Sequence, residues 1–596
     1  MGRADRDTLG WVALALLAFG LLAWFLWPFL GNGARFPLGP DGPVYLWWAR
    51  LAGLDGLSVV GARPGVPALA LVLQGTLGLS VVQSLVALEV GLGVATGLAA
   101  AALVRRQAPI GGWVLAGVLA GTFAVHLASG YLANLAMVAT FLAASALIDL
   151  GGRRAAIVAA VVFAAGGLAH PPFFLIGAVI LLGAAALAWR GGRDSAVRIA
   201  GAVAGAGAVV GIGLLAVMPG PNGLDVDTSK DAFLRRAGLT AELRSAYLDR
   251  FVHRWTRYVQ WVSVPLAVVG FAVARGPAGR ILRSWLLVTG AGVAIALVTG
   301  WVPADRFITF GFAVPILAAL GLVRVWLSFE RRRALAVVVT GALVVAMLAG
   351  AGIAWNRQQP FLSEDEVDAV TIANGAIVGE VARGTPLAFL VNEPDATVSF
   401  LATRAGNVIR AGVPPDRIRD VVVVVPPAEG GGSTERVALE HLTRQDLENA
   451  EARAGRPATV FVLTPFDPVD RPPDARIIDP PVKDAFHIDP LEPSSAIGVV
   501  WASVAALLLF GVVGFGWATI GTCDRLAAAA TAPAVGGAML IAAAVALDAL
   551  GVRIGTTAGA LAASALAGLG GYLVRAILER RVRTGAAPEI EEQPAE

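Results

Sequence analysis

The sequence predicts a polytopic α-helical membrane protein, N-in and C-in, with a small extracytoplasmic α/β domain inserted before the last three helices. Composition, the length of the apolar runs and the placement of arginine each point there. Of 596 residues, 57% are hydrophobic and 15% charged, with a mean hydropathy of +0.72. Soluble domains carry about 25% charged residues. The balance excludes a soluble globular enzyme, a disordered chain and a disulfide scaffold. A net charge of +3 gives no support to nucleic-acid binding, and the single cysteine, Cys523, closes no internal disulfide.

A helix needs about 20 apolar residues to cross the hydrocarbon core. The first such run, Trp11–Leu30, follows Arg3 and Arg6. It is too long for a signal-peptide core and no clear small-residue cleavage site follows, so it reads as a retained span. Further runs lie near 80–104, 110–127, 131–150, 155–170, 172–189, 197–218, 259–275, 281–300, 307–327, 334–355, 496–519, 529–549 and 557–577. The total is about 14 transmembrane helices. Arg105–Arg106, Arg153–Arg154, Arg190 to Arg198, Arg275 to Arg283, Arg331–Arg333 and Arg575 to Arg583 fall in alternate short loops. The intervening loops around Ser129, His170–Pro172 and Trp301–Asp305 are nearly free of arginine. Positive loops stay in the cytoplasm, which sets the orientation and predicts a multi-pass protein of the plasma membrane.

Three outer segments are too long for turns: 31–67, 219–258 and 356–495. They divide the chain into a transmembrane core (1–355), an outer domain (356–495), three C-terminal helices (496–577) and a cytoplasmic tail (578–596). In the outer domain, Ser363 and Glu366 have capping-box spacing before a helix to Val381. Pro386–Val391, Arg419–Val425 and Ala458–Leu463 read as strands, with helices from Pro394 to about Ala411 and over Thr434–Ala454. That alternation predicts a parallel sheet. Gly430–Gly432 lacks the Lys-Ser/Thr of a phosphate-binding loop and reads as an exposed linker. His441 and His487 have no metal-ligand spacing.

Asp41 is the candidate for chemistry. It lies just beyond the first span, before a helix from Pro43 to Leu54 whose Tyr45, Trp47 and Trp48 would sit in the membrane interface. An N-cap for that helix is the plain reading of Asp41, and capping and catalysis are compatible. Gly61-Ala-Arg63-Pro64-Gly follows, then an apolar stretch from Val66 into the second span. Arg63 and Arg306 break the scarcity of arginine on the outer side and suit an anion. In the second outer loop Arg235–Arg236, Arg244, Arg250, His253, Arg254 and Arg257 break it again; acidic neighbours make a solvated helix the first reading and a lipid-headgroup contact the second. His170 before Pro171-Pro172 marks a helix break. His126 reads as a polar residue at a helix end. Glu89, inside the second span, requires a partner or a function, with Gln74, Gln83 or a polar residue of another helix as candidate partners.

This layout resembles the GT-C superfamily of integral-membrane glycosyltransferases over residues 10 to 355. The resemblance rests on the acidic residue after the first helix, the interfacial helix, the Arg63-Pro64 turn and Arg105–Arg106 after the second span. It continues through Tyr131-Leu-Ala-Asn-Leu, His170-Pro171-Pro172 and Asp305-Arg306-Phe307. It implies a sugar donor on a polyprenyl phosphate, used on the outer face, and a cell-envelope glycan or protein as acceptor. Asp41 would be the base, or the ligand of a divalent metal ion if one is used. Tyr45, Arg63, His126, Tyr131, His170, Asp305 and Arg306 would bind substrate. Many members place a second acidic residue at the outer end of the third or fourth span, where this chain has His126 and Tyr131. Two rivals remain: a lipid or glycan transporter or flippase, for which Glu89 is the main feature, and a catalytically degenerate scaffold of the cell envelope.

Overall fold

The computed structural model describes residues 3–216, 251–358 and 494–583, less 40, 62, 190–191, 254, 300–304 and 330–331, together with 248–249 and short pieces of 381–478. Among the described residues, eleven helices are long and apolar enough to cross a membrane, so the chain is a polytopic helical membrane protein. The segments read as spans at 155–170, 259–275 and 307–327 are helical but short, at 17, 11 and 16 residues. Each is cut by a local break: His170 before two prolines, Gln260 at φ +63°, and Gly311 after a five-residue helix.

The helices run α1 (Arg3–Leu30), α2 (Gly42–Asp55), α3 (Gly65–Leu77), α4 (Val81–Val104), α5 (Ile110–Phe123), α6 (Val125–Ala128), α7 (Leu132–Leu150), α8 (Arg153–Ala169), α9 (Pro171–Trp189) and α10 (Arg193–Ala216). Then follow α11 (Ser263–Val273), α12 (Gly276–Thr299), α13 (Asp305–Thr309), α14 (Ala313–Ser328), α15 (Arg333–Asn356), α16 (Ala496–Gly521), α17 (Arg525–Ala549) and α18 (Thr557–Arg583). α4 and α7 are sheathed by protein on every side, whereas α10, α15 and α18 are mostly bare, with side chains such as Leu215 and Leu569 outward. In a membrane protein that bare apolar surface faces lipid.

The stretch from Val66 does not run into the second span. Gly78, left-handed at φ +68°, ends α3, and Ser80 and Gln83 form a reciprocal capping box that starts α4. Nor does α2 present its aromatics to lipid headgroups: Tyr45, Trp47 and Trp48 are buried by protein, with α2 packed on α3 and α4.

The connections gather at two ends. At one, Asn32 Nδ2 donates to Asn356 O (2.7 Å), Ser494 N to Arg35 O (3.0 Å) and Leu57 N to Asp548 Oδ2 (2.8 Å). At the other, Arg105 Nε meets Asp524 Oδ2 (2.7 Å), Arg106 donates to the carbonyls of Asp149 and Leu150 (2.9 and 2.7 Å), and Arg275 N donates to Gln107 (2.9 Å). The arginine-bearing loops thus share one end, and the loop holding Asp41 shares the other with the stems of the 356–495 segment.

Within that segment, β1 (Leu387–Leu390), β2 (Val421–Val424), β3 (Thr459–Leu463) and β4 (Arg476–Ile478) form a parallel sheet in the order β2-β1-β3-β4. The first three lie inside the segments read as strands. β4 has only three residues, too few for a periodic signal. The Arg50 guanidinium, on α2, donates to Ala411 O and Val413 O and so ties this unit to the membrane core. The capping pair Ser363 and Glu366, Gly430–Gly432, His441, His487, the chain beyond 583, and Arg235, Arg236, Arg244, Arg250 and Arg254 lie outside the described residues.

Candidate active site

The loop that carries Asp41 is fixed at two points just upstream. Leu38 N donates to both carboxyl oxygens of Glu89, at 2.9 and 3.2 Å. Glu89 is therefore paired, though with neither Gln74 nor Gln83, and it holds a loop instead of lining a path. Next to it Gly39 adopts φ +72°, and a Cβ there would lie 1.6 Å from Ser129 O. Only glycine fits both the conformation and the approach.

Asp41 occupies the N-cap position of α2, but its side chain accepts no hydrogen bond from the helix. Pro43 already fills the first turn, where an N–H is least needed. The carboxylate is thus spared for another task. It is half-buried, and burial raises it from the usual carboxylate range to about 6, against the opposing pull of the Arg306 and Arg63 guanidiniums.

Arg63 comes from the turn before α3. Gly65 packs directly on the backbone of Ala169, where a Cβ would lie 2.7 Å from the Ala169 Cα. That contact sets the Arg63 turn beside His170. His170 Nδ1 accepts Phe173 N at 3.1 Å across the break between α8 and α9. The acceptor geometry assigns a neutral ring with its hydrogen on Nε2. Arg63 and Arg306 both act on His170 electrostatically, as they do on Asp41. Arg306 lies on α13, whose neighbour Phe310 meets Phe173 edge-on, with ring centroids 5.2 Å apart. Asp41, Arg63, His170 and Arg306 therefore form one electrostatic cluster drawn from four separate elements.

The other predicted site residues divide. Tyr45 is buried, and its hydroxyl accepts Ala133 N (3.1 Å) at the open N-terminus of α7. Its phenol is raised above the ordinary range, by burial first and then by Asp41, so it stays protonated. His126 is also buried, its ring against Phe123 and Phe312 and its Nε2 3.3 Å from Thr309 O; it braces the helix that carries Arg306. Tyr131 is half-buried at the N-cap of α7. Asp305 opens α13, and its side chain lies outside the described residues. Among the described residues no group of three or more His, Cys, Asp or Glu is placed to hold a metal ion. Among the described residues, the charges acting on Asp41 are the two arginines, which favour an anion over a divalent metal.

The reading from residues alone missed the support of the site: the Leu38–Glu89 bond, the seating of Gly39 and the Tyr45–Ala133 bond. Two buried donors on framing elements, Trp48 Nε1 and Asn134 Nδ2, have no partner among the described residues.

No family model and no curated protein matches the sequence. Among solved structures, the chain is similar to the apo form of the Archaeoglobus fulgidus oligosaccharyltransferase, at 11% identity and a TM-score of 0.45 over 67% of this chain and 63% of that one. The same enzyme tethered to an acceptor peptide with the NVT sequon aligns at 11% identity and a TM-score of 0.43, over 68% and 63%. The archaeal oligosaccharyltransferase AglB in complex with an inhibitory peptide and a dolichol-phosphate aligns at 12% and 0.44, over 70% and 64%. The chain spans less than two thirds of the length of these oligosaccharyltransferases.

Proposed function

We propose that this protein is a membrane glycosyltransferase of the GT-C type that moves a sugar from a polyprenyl-phosphate donor to an acceptor on the outer face of the plasma membrane. The observation that carries the reading is Asp41: an N-cap carboxylate that does no capping, set among Arg63, Arg306 and neutral His170 at the end opposite the arginine loops.

The chemistry follows from charge. Asp41 takes the proton of the acceptor nucleophile as its lone pair attacks the anomeric carbon. The bond from that carbon to the phosphate oxygen breaks, and its electron pair leaves with the polyprenyl phosphate. Arg63 and Arg306 stabilise the phosphate charge, and His170 Nε2–H donates to it. The donor enters sideways from lipid and the acceptor from water. Glu89 is the main feature a transporter reading rests on, and it is tied to a loop backbone; this favours the enzyme reading over the transporter.

Transfer from a radiolabelled polyprenyl-phosphate sugar in proteoliposomes tests the proposal. Asp41→Asn should lower the rate by about 10²–10⁴-fold with the amount of folded protein unchanged. Full activity in that variant removes the mechanism. Protease mapping that puts residue 41 on the cytoplasmic side removes the outer-face assignment.

A further inference from the structure

A second site lies at the arginine end, across the helix bundle from Asp41. A cavity of about 560 Å³ opens there between the start of α1, the α4–α5 loop and the start of α17. Its polar lining is Arg105, Arg106, Arg525, Asp7 and Asp524, and the indoles of Trp11 and Trp113 flank it. The cations differ in what they already do. Arg106 spends two nitrogens on the carbonyls of Asp149 and Leu150. Arg105 commits Nε to Asp524, which also caps α17 through Leu526 N and Ala527 N at 3.1 Å each. Arg525 is exposed and makes no hydrogen bond among the described residues, and the two terminal nitrogens of Arg105 make none either. Those donors converge on a volume large enough for a headgroup.

Trp11 is exposed beside the cavity, an indole suited to the boundary between headgroups and acyl chains. A phospholipid uses such an indole beside its glycerol region; a free phosphate does not. We infer that this cavity binds an anionic phospholipid, with its phosphate against Arg525 and Arg105 and its glycerol region beside Trp11. Basic pockets between spans on the positive-loop side suit such headgroups.

The test uses the full chain in detergent, with lipid retention read by native mass spectrometry. Phosphatidylglycerol should bind more tightly than phosphatidylcholine. Arg525→Gln should weaken phosphatidylglycerol binding by about tenfold, the worth of one charge-assisted hydrogen bond. Arg154→Gln, an exposed cation of the same end that does not line the cavity, should leave it unchanged. Equal retention of the two lipids, or equal retention by Arg525→Gln and the unaltered chain, overturns the inference. Displacement of phosphatidylglycerol by millimolar inorganic phosphate overturns it as well, since the occupant is then a free anion.

Discussion

The two ends of the helix bundle use charge in opposite ways. At the arginine end, Arg105 Nε answers Asp524, Arg106 answers two helix-end carbonyls, and Asp149 Oδ1 accepts Ala278 N at 2.8 Å; these groups close helix termini, whereas Arg525 and the terminal nitrogens of Arg105 stay uncommitted among the described residues. At the other end Asp41 holds a capping position and caps nothing, while Arg63 and Arg306 act on it electrostatically, with no hydrogen bond to it among the described residues. Charges that serve the fold consume one another's donors. Charges held near one another yet left uncommitted are the ones available to a ligand.

Substitutions break or sharpen this contrast. The largest effect is expected at Gly39→Ala. The added methyl meets Ser129 O in a backbone conformation that disfavours it, costing more than about 3 kcal/mol; thermal unfolding in detergent measures it, and transfer is lost with it. Glu89→Leu strips Leu38 N of its acceptor in an apolar surrounding, at about 1–3 kcal/mol, and transfer falls as the Asp41 loop loosens. Glu89→Gln keeps an acceptor oxygen and loses less of both, so the order of the two variants separates positioning from bulk. Asp149→Ala, at the opposite end, gives up the Ala278 bond. Melting should fall by an amount equivalent to about 1–2 kcal/mol, while the transfer rate per folded molecule stays the same. A fall in transfer there would erase the distinction between the ends.

What was legible in the sequence was what is local. Apolar run length and alternating arginine report the spans because bilayer thickness and loop charge act on contiguous residues. Asp41, Arg63, His170 and Arg306 stood out as chemical rarities on an arginine-poor side. The break between α3 and α4 was also written there, in Gly78 and the Ser80–Gln83 spacing, but the apolar run masked it. The support of the site was not legible, because it is non-local: Leu38 finds Glu89 51 residues away and Ala133 finds Tyr45 88 residues away. No spacing rule encodes such pairs. The aromatics of α2 misled for a related reason. Tyr45, Trp47 and Trp48 have the composition of an interfacial belt, and only the packing of α3 and α4 around them puts them inside.

The pH profile of transfer tests the central claim most directly. A base raised to about 6 by burial is charged above that pH, so activity should be full near neutrality and fall as the pH drops through about 6. Both arginines lower Asp41, so replacing either one with glutamine should move the acid limb to higher pH. A rate that stays flat from pH 5 to 8, or an acid limb that neither Arg63→Gln nor Arg306→Gln shifts, would contradict a carboxylate poised between two arginines.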